Sequence, residues 1–203
     1  DSFVGPDGDI DGRTLPSGQQ WTRQTNDLGV EIRDNTLYQL DGFANLDIIT
    51  VPASIDYTGG VRLALEMYGN LKAGASGALG FIIGYQDIDN YVSVRFNNAS
   101  NESVSIIKVV SGTGTLLSSE PSFIGSHPKL LRATIGKKIG GGSTISILGE
   151  MGAVNTESKF TPGNSSDVEN ILTNSTAIGI EFTGNNGKAQ PHIHNFRVVN
   201  NGK

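Results

Sequence analysis

The chain alternates apolar and polar residues over many short stretches, which is typical of β-strands with one buried face. The clearest stretches are residues 61–68, 91–96, 131–135 and 177–182, where every second side chain is apolar. Such alternation places an apolar row on one face of a sheet and a more polar row on the other. Glycines are frequent between these stretches and mark turns. The pattern predicts an all-β fold, an antiparallel two-sheet sandwich.

The alternation and the turn residues together predict the position of each element. The predicted strands are 28–33, 36–41, 45–51, 60–69, 77–86, 90–97, 103–111, 114–118, 129–136, 143–150, 153–159, 176–183 and 192–199. One short helix is predicted at 166–173, with Asp167 and Glu169 in its first turn. Gly80 and Gly84 lie inside a predicted strand, which indicates a bulge or a close neighbour. No linker divides the chain, so residues 1–203 are predicted to form one domain.

Composition narrows the class of protein further. The chain has 203 residues, 27 glycines, no cysteine and only 17% charged residues. A net charge of −5 disfavours a nucleic-acid partner. No apolar run reaches the roughly 18 residues of a membrane span, so membrane insertion is not expected. A surface rich in Ser, Thr, Asn and Gly favours a virion or extracellular location. The chain opens at Asp1 without a methionine, as expected of a processed or excised domain.

Several segments resemble a known family. They are Asp1–Phe3, Asp7-Gly8 and Trp21-Thr22 near the start, then residues 80–87, 90–96, 177–180 and 195–198. Together they resemble the concanavalin A-like lectin and glucanase superfamily, the laminin-G-like jelly rolls. More narrowly, they are similar to sandwich domains of phage tail proteins, other virion proteins and secreted bacterial proteins. The resemblance implies a jelly-roll fold over the whole chain, with Trp21 capping the core.

The function expected from this resemblance is a non-enzymatic structural or adhesion module of a virion, such as a phage tail or fibre, or of a secreted surface protein. Its partners would be a glycan or cell-surface receptor and other chains of the assembly. Two alternatives stay open. One is a glycoside hydrolase or polysaccharide lyase of the same fold, and the other is a module that binds only protein chains. We predict no catalytic residues, because no strand carries the alternating acids of a retaining glycosidase.

One candidate metal site lies near the start of the chain. Asp7, Asp9 and Asp11 precede Gly12, and alternating carboxylates before a glycine are typical of calcium loops. An EF-hand is excluded, because its twelfth position requires glutamate and is Gly18 here. Calcium is therefore the only cofactor expected. The alternative is a solvated acidic turn.

The candidate ligand-binding site is a predicted turn between two strands. It consists of Tyr85, Asp87, Asp89, Asn90 and Tyr91. Acids and amides suit a hydroxyl-rich ligand, and tyrosine rings can contact the apolar face of a sugar. The alternative is that Asp and Asn simply favour a hairpin turn. The wider set of tyrosines predicted to reach the surface is Tyr38, Tyr57, Tyr68, Tyr85 and Tyr91.

A histidine pair closes the set of candidates. His192 and His194 are two residues apart and should face the same side of a strand. With a third ligand they could hold a transition metal. His127 is the one other histidine of the sequence. The alternative is a pair on an edge strand near the terminus, without a metal.

Overall fold

The structure is a computed structural model that describes residues 3, 6–25, 30–39, 46–53, 63–70, 77–97, 103–121, 129–137, 145–151, 156–160, 166–183 and 192–200. In this part of the chain the strands form two sheets whose neighbouring strands are antiparallel. The predicted two-sheet sandwich is confirmed. Every predicted strand has a counterpart, and most boundaries differ by three residues or fewer.

Among the described residues, the first sheet has eight strands, and they include both β1 and β15, the first and last described strands. In spatial order they are β1 (Gly8–Asp9), β3 (Val30–Arg33), β4 (Thr36–Gln39), β15 (His192–Asn200), β6 (Leu63–Asn70), β11 (Lys129–Lys137), β12 (Ile145–Met151) and β13 (Thr156–Phe160). The last strand, β15, therefore lies between β4 and β6 in the middle of the sheet.

The second sheet has seven strands within the part of the chain that the structure describes. In spatial order they are β10 (Thr113–Pro121), β9 (Ser103–Val110), β8 (Asn90–Asn97), β7 (Ala78–Asp87), β14 (Ala177–Thr183), β5 (Asp47–Pro52) and β2 (Thr22–Arg23). Ser111 and Gly112 join β9 to β10, and both have positive φ angles, 49° and 73°. Two such residues are what a tight two-residue hairpin requires.

Apolar rows from both sheets meet in one core. Leu65 and Met67 of β6, Phe81 of β7 and Phe196 of β15 are at most 2% exposed and belong to the same buried cluster. Trp21 is fully buried in this cluster, with its ring 5.3 Å from that of Phe196. The prediction that Trp21 caps the core is confirmed.

The helix α1 (Ser166–Thr173) lies where the sequence predicted a helix, and it packs against β7 and β8 of the seven-stranded sheet. Val168, Ile171 and Leu172 are its buried residues. A Cβ atom added to Gly84 would lie 2.8 Å from Leu172 Cδ2, so the glycine lets the helix approach β7. The pairing of β7 with β8 also shifts register between Ile82 and Gly84. Both readings of the in-strand glycines, bulge and crowding, are confirmed.

Two short elements near the start were not predicted. β1 and β2 have two residues each, too few for alternation to be visible. Between them, residues 12–21 form a small hairpin in which Trp21 N donates to Arg13 O at 2.9 Å and Leu15 N donates to Gln19 O at 2.7 Å. In the described part of the chain, no helix is long and apolar enough to cross a membrane.

Candidate functional site

The predicted ligand-binding turn is a hairpin whose polar groups bond to one another. Asp87 accepts hydrogen bonds from the backbone N–H of Asp89 at 2.9 Å and from the Asn90 amide at 2.8 Å. The Asn90 side-chain oxygen Oδ1 accepts from Ser111 N at 3.2 Å, and Gly112 N donates to Asp89 O at 3.0 Å. The β7–β8 turn is thus tied to the β9–β10 turn. These contacts favour the hairpin-supporting reading for Asp87 and Asn90.

The two tyrosines of this set lie under the surface rather than on it. Tyr85 is 5% exposed and Tyr91 is 2% exposed. Burial, the main cause, raises the pKa of each phenol to about 12. The Tyr85 hydroxyl donates to Gln24 Oε1 at 3.1 Å. The expectation that these rings offer surface contact is therefore corrected, because neighbouring side chains cover them. Ligand binding by the exposed acids of the turn stays a prediction.

Beside Tyr91, a buried ion pair crosses the outward face of the seven-stranded sheet. Arg95 donates from Nε to Glu181 Oε1 at 2.8 Å and from Nη2 to Glu181 Oε2 at 2.9 Å. Glu181 is fully buried. Gly80 lies between the two residues in register, and a Cβ atom there would be 2.7 Å from Glu181 Oε1. The glycine thus leaves space for the pair to form.

The three acids near the start accept hydrogen bonds from other groups of the protein, and two of them share Arg23. Asp7 accepts from Asp34 N at 3.0 Å, and Asp11 accepts from Arg23 N at 2.8 Å. Asp9 pairs with the Arg23 guanidinium, including an Nη1–Oδ2 distance of 3.1 Å. In the described ranges no group of three His, Cys, Asp or Glu side chains is placed to hold a metal ion. Calcium at Asp7, Asp9 and Asp11 stays a prediction.

The histidine pair lies at the centre of a sheet and not on an edge strand, which corrects that expectation. β15 pairs with β4 on one side and with β6 on the other. The two imidazole rings are 5.2 Å apart and nearly perpendicular, at 88°. Both residues lie on the outward face, as the spacing predicted. His127 and Tyr57 lie outside the described residues.

Two tyrosines extend the histidine pair into a row of four rings, which we call the ring row (Tyr38, His192, His194 and Tyr68). Tyr38 lies 5.2 Å from His192, and Tyr68 lies 6.1 Å from His194, between ring centroids. Tyr68 is 41% exposed. The row therefore places four rings from three adjacent strands on the outward side of the eight-stranded sheet.

A bulge in β15 includes His194 and turns the residue after it, Asn195, to the outward face as well. The register with β6 shifts between Ile193 and Asn195, so His194 is the additional residue. Ile193 still enters the core, while His194 turns outward and its Nδ1 lies 3.2 Å from Thr36 Oγ1. Asn195 Oδ1 accepts from Tyr68 N at 3.1 Å. Bulges commonly re-aim side chains in this way.

Planar charged groups lie beside the ring row. Glu66 precedes Tyr68 on the same face of β6 and accepts from two arginines on the neighbouring strands. Arg132 Nε lies 2.8 Å from Glu66 Oε1, and Arg197 Nη2 lies 2.8 Å from Glu66 Oε2. Both guanidinium groups are accessible, with the side chains of Arg132 and Arg197 43% and 68% exposed.

The sequence contained part of the signal for this surface. Tyr38 and Tyr68 were expected at the surface, and both are at least partly exposed. The two histidines were expected to share a face. The ring row itself was missed, because it depends on the last strand inserting between β4 and β6, and alternation does not predict strand order.

The chain is similar to known proteins in structure, whereas comparisons of its sequence found no match. No family profile matches the chain, and no curated protein matches it significantly in sequence. Among solved structures, carbohydrate-binding module CBM66 from Bacillus subtilis has a TM-score of 0.61 and 13% identity, covering 93% of this chain and 96% of its own. The CBM2 module of the evolved Dit of Lactobacillus casei BL23 phage J-1 has a TM-score of 0.57 and 10% identity, covering 93% and 92%. The chain has the concanavalin A-like jelly-roll fold.

A third likeness concerns a larger protein. The GH43 protein BlXynB from Bacillus licheniformis matches with a TM-score of 0.60 and 14% identity over 95% of this chain. This match covers 39% of that protein. The jelly roll thus occurs both as a carbohydrate-binding module and as one part of a GH43 protein. Sequence identities this low establish only the fold, so the function has to be argued from the residues of the site.

Proposed function

We propose that this protein is a non-catalytic glycan-binding module that serves adhesion in a virion or a secreted surface assembly. The observation that carries the proposal is the ring row on the outward face of the eight-stranded sheet. Aromatic and imidazole rings present an apolar face together with a polar tip. A sugar ring likewise has an apolar face and a rim of hydroxyl groups, so the two surfaces are chemically matched.

The charged groups beside the row supply the polar half of this recognition. Glu66 and Tyr68 are two residues apart on β6, so they are neighbours on one face of the strand, separated by roughly 7 Å. The two arginines that bind Glu66 therefore lie beside Tyr68 as well. Guanidinium groups carry several N–H donors in a fixed plane, which suits hydroxyl oxygens of a bound sugar. Leu130 lies opposite Tyr68 on β11 and is 45% exposed, which extends the apolar part of the surface.

The state of the buried carboxylates supports a binding role over hydrolysis. A glycosidase needs two carboxyl groups about 5–9.5 Å apart, one to protonate the leaving group and one to act as nucleophile or base. Glu66 and Glu181 have both oxygens engaged by arginine. A carboxylate whose oxygens are both occupied by arginine is not free to give a proton to a leaving group or to attack a sugar, so it is unsuited to either role.

Weak binding at each site is sufficient in the proposed setting. The likeness to a phage Dit module supports a place in a multivalent assembly. Linked copies raise avidity by roughly 10²–10⁴ over a single site. The likeness to a carbohydrate-binding module supports glycan as the ligand class.

A glycan array with point variants tests the proposal. The parent should bind a limited set of glycans, and Tyr38→Ala and Tyr68→Ala should each weaken that binding several-fold. Leu116→Ala is the matched control, because Leu116 is 60% exposed on the other sheet. Asp89→Ala tests the predicted turn site in parallel. Unchanged binding in both tyrosine variants would refute the ring row. Release of reducing sugar from a bound glycan would refute the non-catalytic role.

A further inference from the structure

The two histidines of the ring row lie close enough to share one bound ion. His192 and His194 lie on the outward face of β15, with ring centroids 5.2 Å apart and ring planes at 88°. Two imidazoles that bind one tetrahedral ion through Zn–N bonds of about 2.0–2.1 Å have centroids roughly 5 Å apart. The separation of the two rings therefore matches that of two ligands of one metal ion.

A hydroxyl group determines which nitrogen of His194 carries the proton. Thr36 Oγ1 donates to Asp34 O at 3.4 Å, which uses its one proton. The same oxygen lies 3.2 Å from His194 Nδ1, so it accepts a hydrogen bond from Nδ1–H. Nε2 of the neutral ring then carries the lone pair. Metal-binding histidines commonly donate from one ring nitrogen in this way and bind the ion through the other.

The positions of both histidines are fixed by their neighbours. β15 pairs with β4 on one side and with β6 on the other, so the backbone that carries the two rings is held in the middle of a sheet. The Tyr38 ring lies 5.2 Å from that of His192, and the Tyr68 ring lies 6.1 Å from that of His194. Binding of an ion would therefore order the pair less than it would order two histidines on a loop.

Two carboxylates on the same face are engaged by arginine. Glu31 pairs in register with Tyr38 and forms an ion pair with Arg33. Glu66, two residues before Tyr68, accepts from two arginines. In the part of the chain that the structure describes, no group of three His, Cys, Asp or Glu side chains could hold a metal ion. A metal site at the pair would consequently have two protein ligands.

We propose that His192 and His194 together bind a divalent transition-metal ion of the class of zinc, copper or nickel, with water in the remaining coordination positions. Imidazole nitrogens suit these ions, whereas calcium and magnesium take oxygen ligands. His194 is exposed and His192 is half-buried, so an ion can reach the pair from solvent. Two protein ligands give a weaker site than the four of a structural zinc centre. The proposed site does not depend on glycan binding.

Calorimetric titration of the whole chain with zinc tests the site. At about pH 7.5, roughly one unit above the ordinary histidine pKa, imidazoles are mostly neutral and can bind metal. The parent should bind one zinc ion saturably. Loss of an outer-shell partner already costs about 10–100-fold in metal affinity, so His192→Gln and His194→Gln, which each remove a direct ligand, should weaken binding at least about tenfold. His127→Gln is the matched control and should bind as the parent does.

NMR of the imidazole side chains provides a second measurement, which stays informative should a glutamine variant melt at a much lower temperature than the parent. Zinc should shift the His192 and His194 signals of the parent, whereas magnesium should leave both unchanged. Unchanged zinc affinity in either folded glutamine variant, or zinc that shifts neither signal, would overturn the site. An equal response to magnesium would overturn the class of ion.

Discussion

Single residues at crowded positions show how closely the two sheets are fitted to the sequence. Gly179 lies in β14 between β5 and β7, and a Cβ atom there would lie 2.9 Å from Thr50 Cα and nearer still to the Ile49 carbonyl oxygen. Both neighbours are backbone, so they can move only if the strands separate. A side chain at this position is incompatible with the observed pairing.

We therefore expect Gly179→Ala to lower the free energy of unfolding by roughly 1–3 kcal/mol or more, as overpacking does. Gly114→Ala is the control, because nothing lies within 4 Å of a Cβ atom at Gly114 in β10. Urea denaturation of both variants measures the difference. Equal stability of the two variants would mean that β14 and β5 are not paired as described.

His194 provides a prediction about protonation at the ring row. Burial, and after it the charge of His192, lowers the pKa of His194 below its ordinary value near 6.5. Neutral His194 is thus favoured in the folded protein. Its contribution to stability is present above the ordinary pKa and is lost as the pH falls through the lowered pKa.

NMR titration of the imidazole signals should accordingly place the His194 midpoint below 6.5. His192→Gln removes the charged neighbour, so the pKa of His194 should rise while staying below its ordinary value, because burial remains. A His194 midpoint that does not respond to His192→Gln would show that the two rings are not adjacent.

At the scale of elements, the Arg95–Glu181 pair joins β8 to β14 across the intervening strand β7. Removing one partner of a buried pair leaves the other charge without compensation, which typically costs about 3–5 kcal/mol. Arg95→Met should therefore destabilise the protein strongly, since Glu181 is fully buried. Arg95→Met combined with Glu181→Gln should recover much of the loss in a thermal or urea melt. Additive losses in the double variant would contradict a direct pairing.

Element positions were largely predictable from the sequence, for a physical reason. Strands such as β8 bury one face, so apolar residues recur at every second position and reveal the strand. The same alternation does not say what covers the second face. Tyr91 was predicted to reach the surface, yet it is buried beside Arg95 and Tyr85. Which residues cover the outward face depends on packing between segments that are far apart in the sequence. Alternation within one strand carries no information about that packing.

At the scale of the whole molecule, the acidic segment near the start connects the chain's first residues to the sandwich. Asp9 and Asp11 both contact Arg23, and Asp7 contacts the turn after β3. The calcium prediction for these acids implies a measurable linkage, because an ion that binds only the native state raises its stability. Chelator should lower the melting temperature and added calcium should restore it. If neither chelator nor added calcium changes the melting temperature, these acids bind no calcium and have a structural role alone.

The candidate site was less predictable than the fold. Its residues come from positions 38, 68, 192 and 194, and they meet only because β15 inserts between β4 and β6. The bulge after Ile193, which places Asn195 opposite Tyr68 and returns Phe196 to the core, is also invisible in a strictly alternating pattern. Sequence reasoning instead favoured a turn with a high local density of acids and amides. A high local density of acids and amides identifies a hairpin turn well. It does not identify a binding surface on a sheet, because such a surface is formed by strands that are far apart in the sequence.

The most direct test of glycan binding at the ring row is NMR of the imidazole side chains during titration with a glycan that the array selects. His192 and His194 are assigned beforehand by single His→Gln variants. Both signals should shift saturably, with the same dissociation constant that binding assays give, and Tyr68→Ala should weaken the response. Binding of the glycan without any change in the His192 and His194 signals would contradict glycan binding at the ring row.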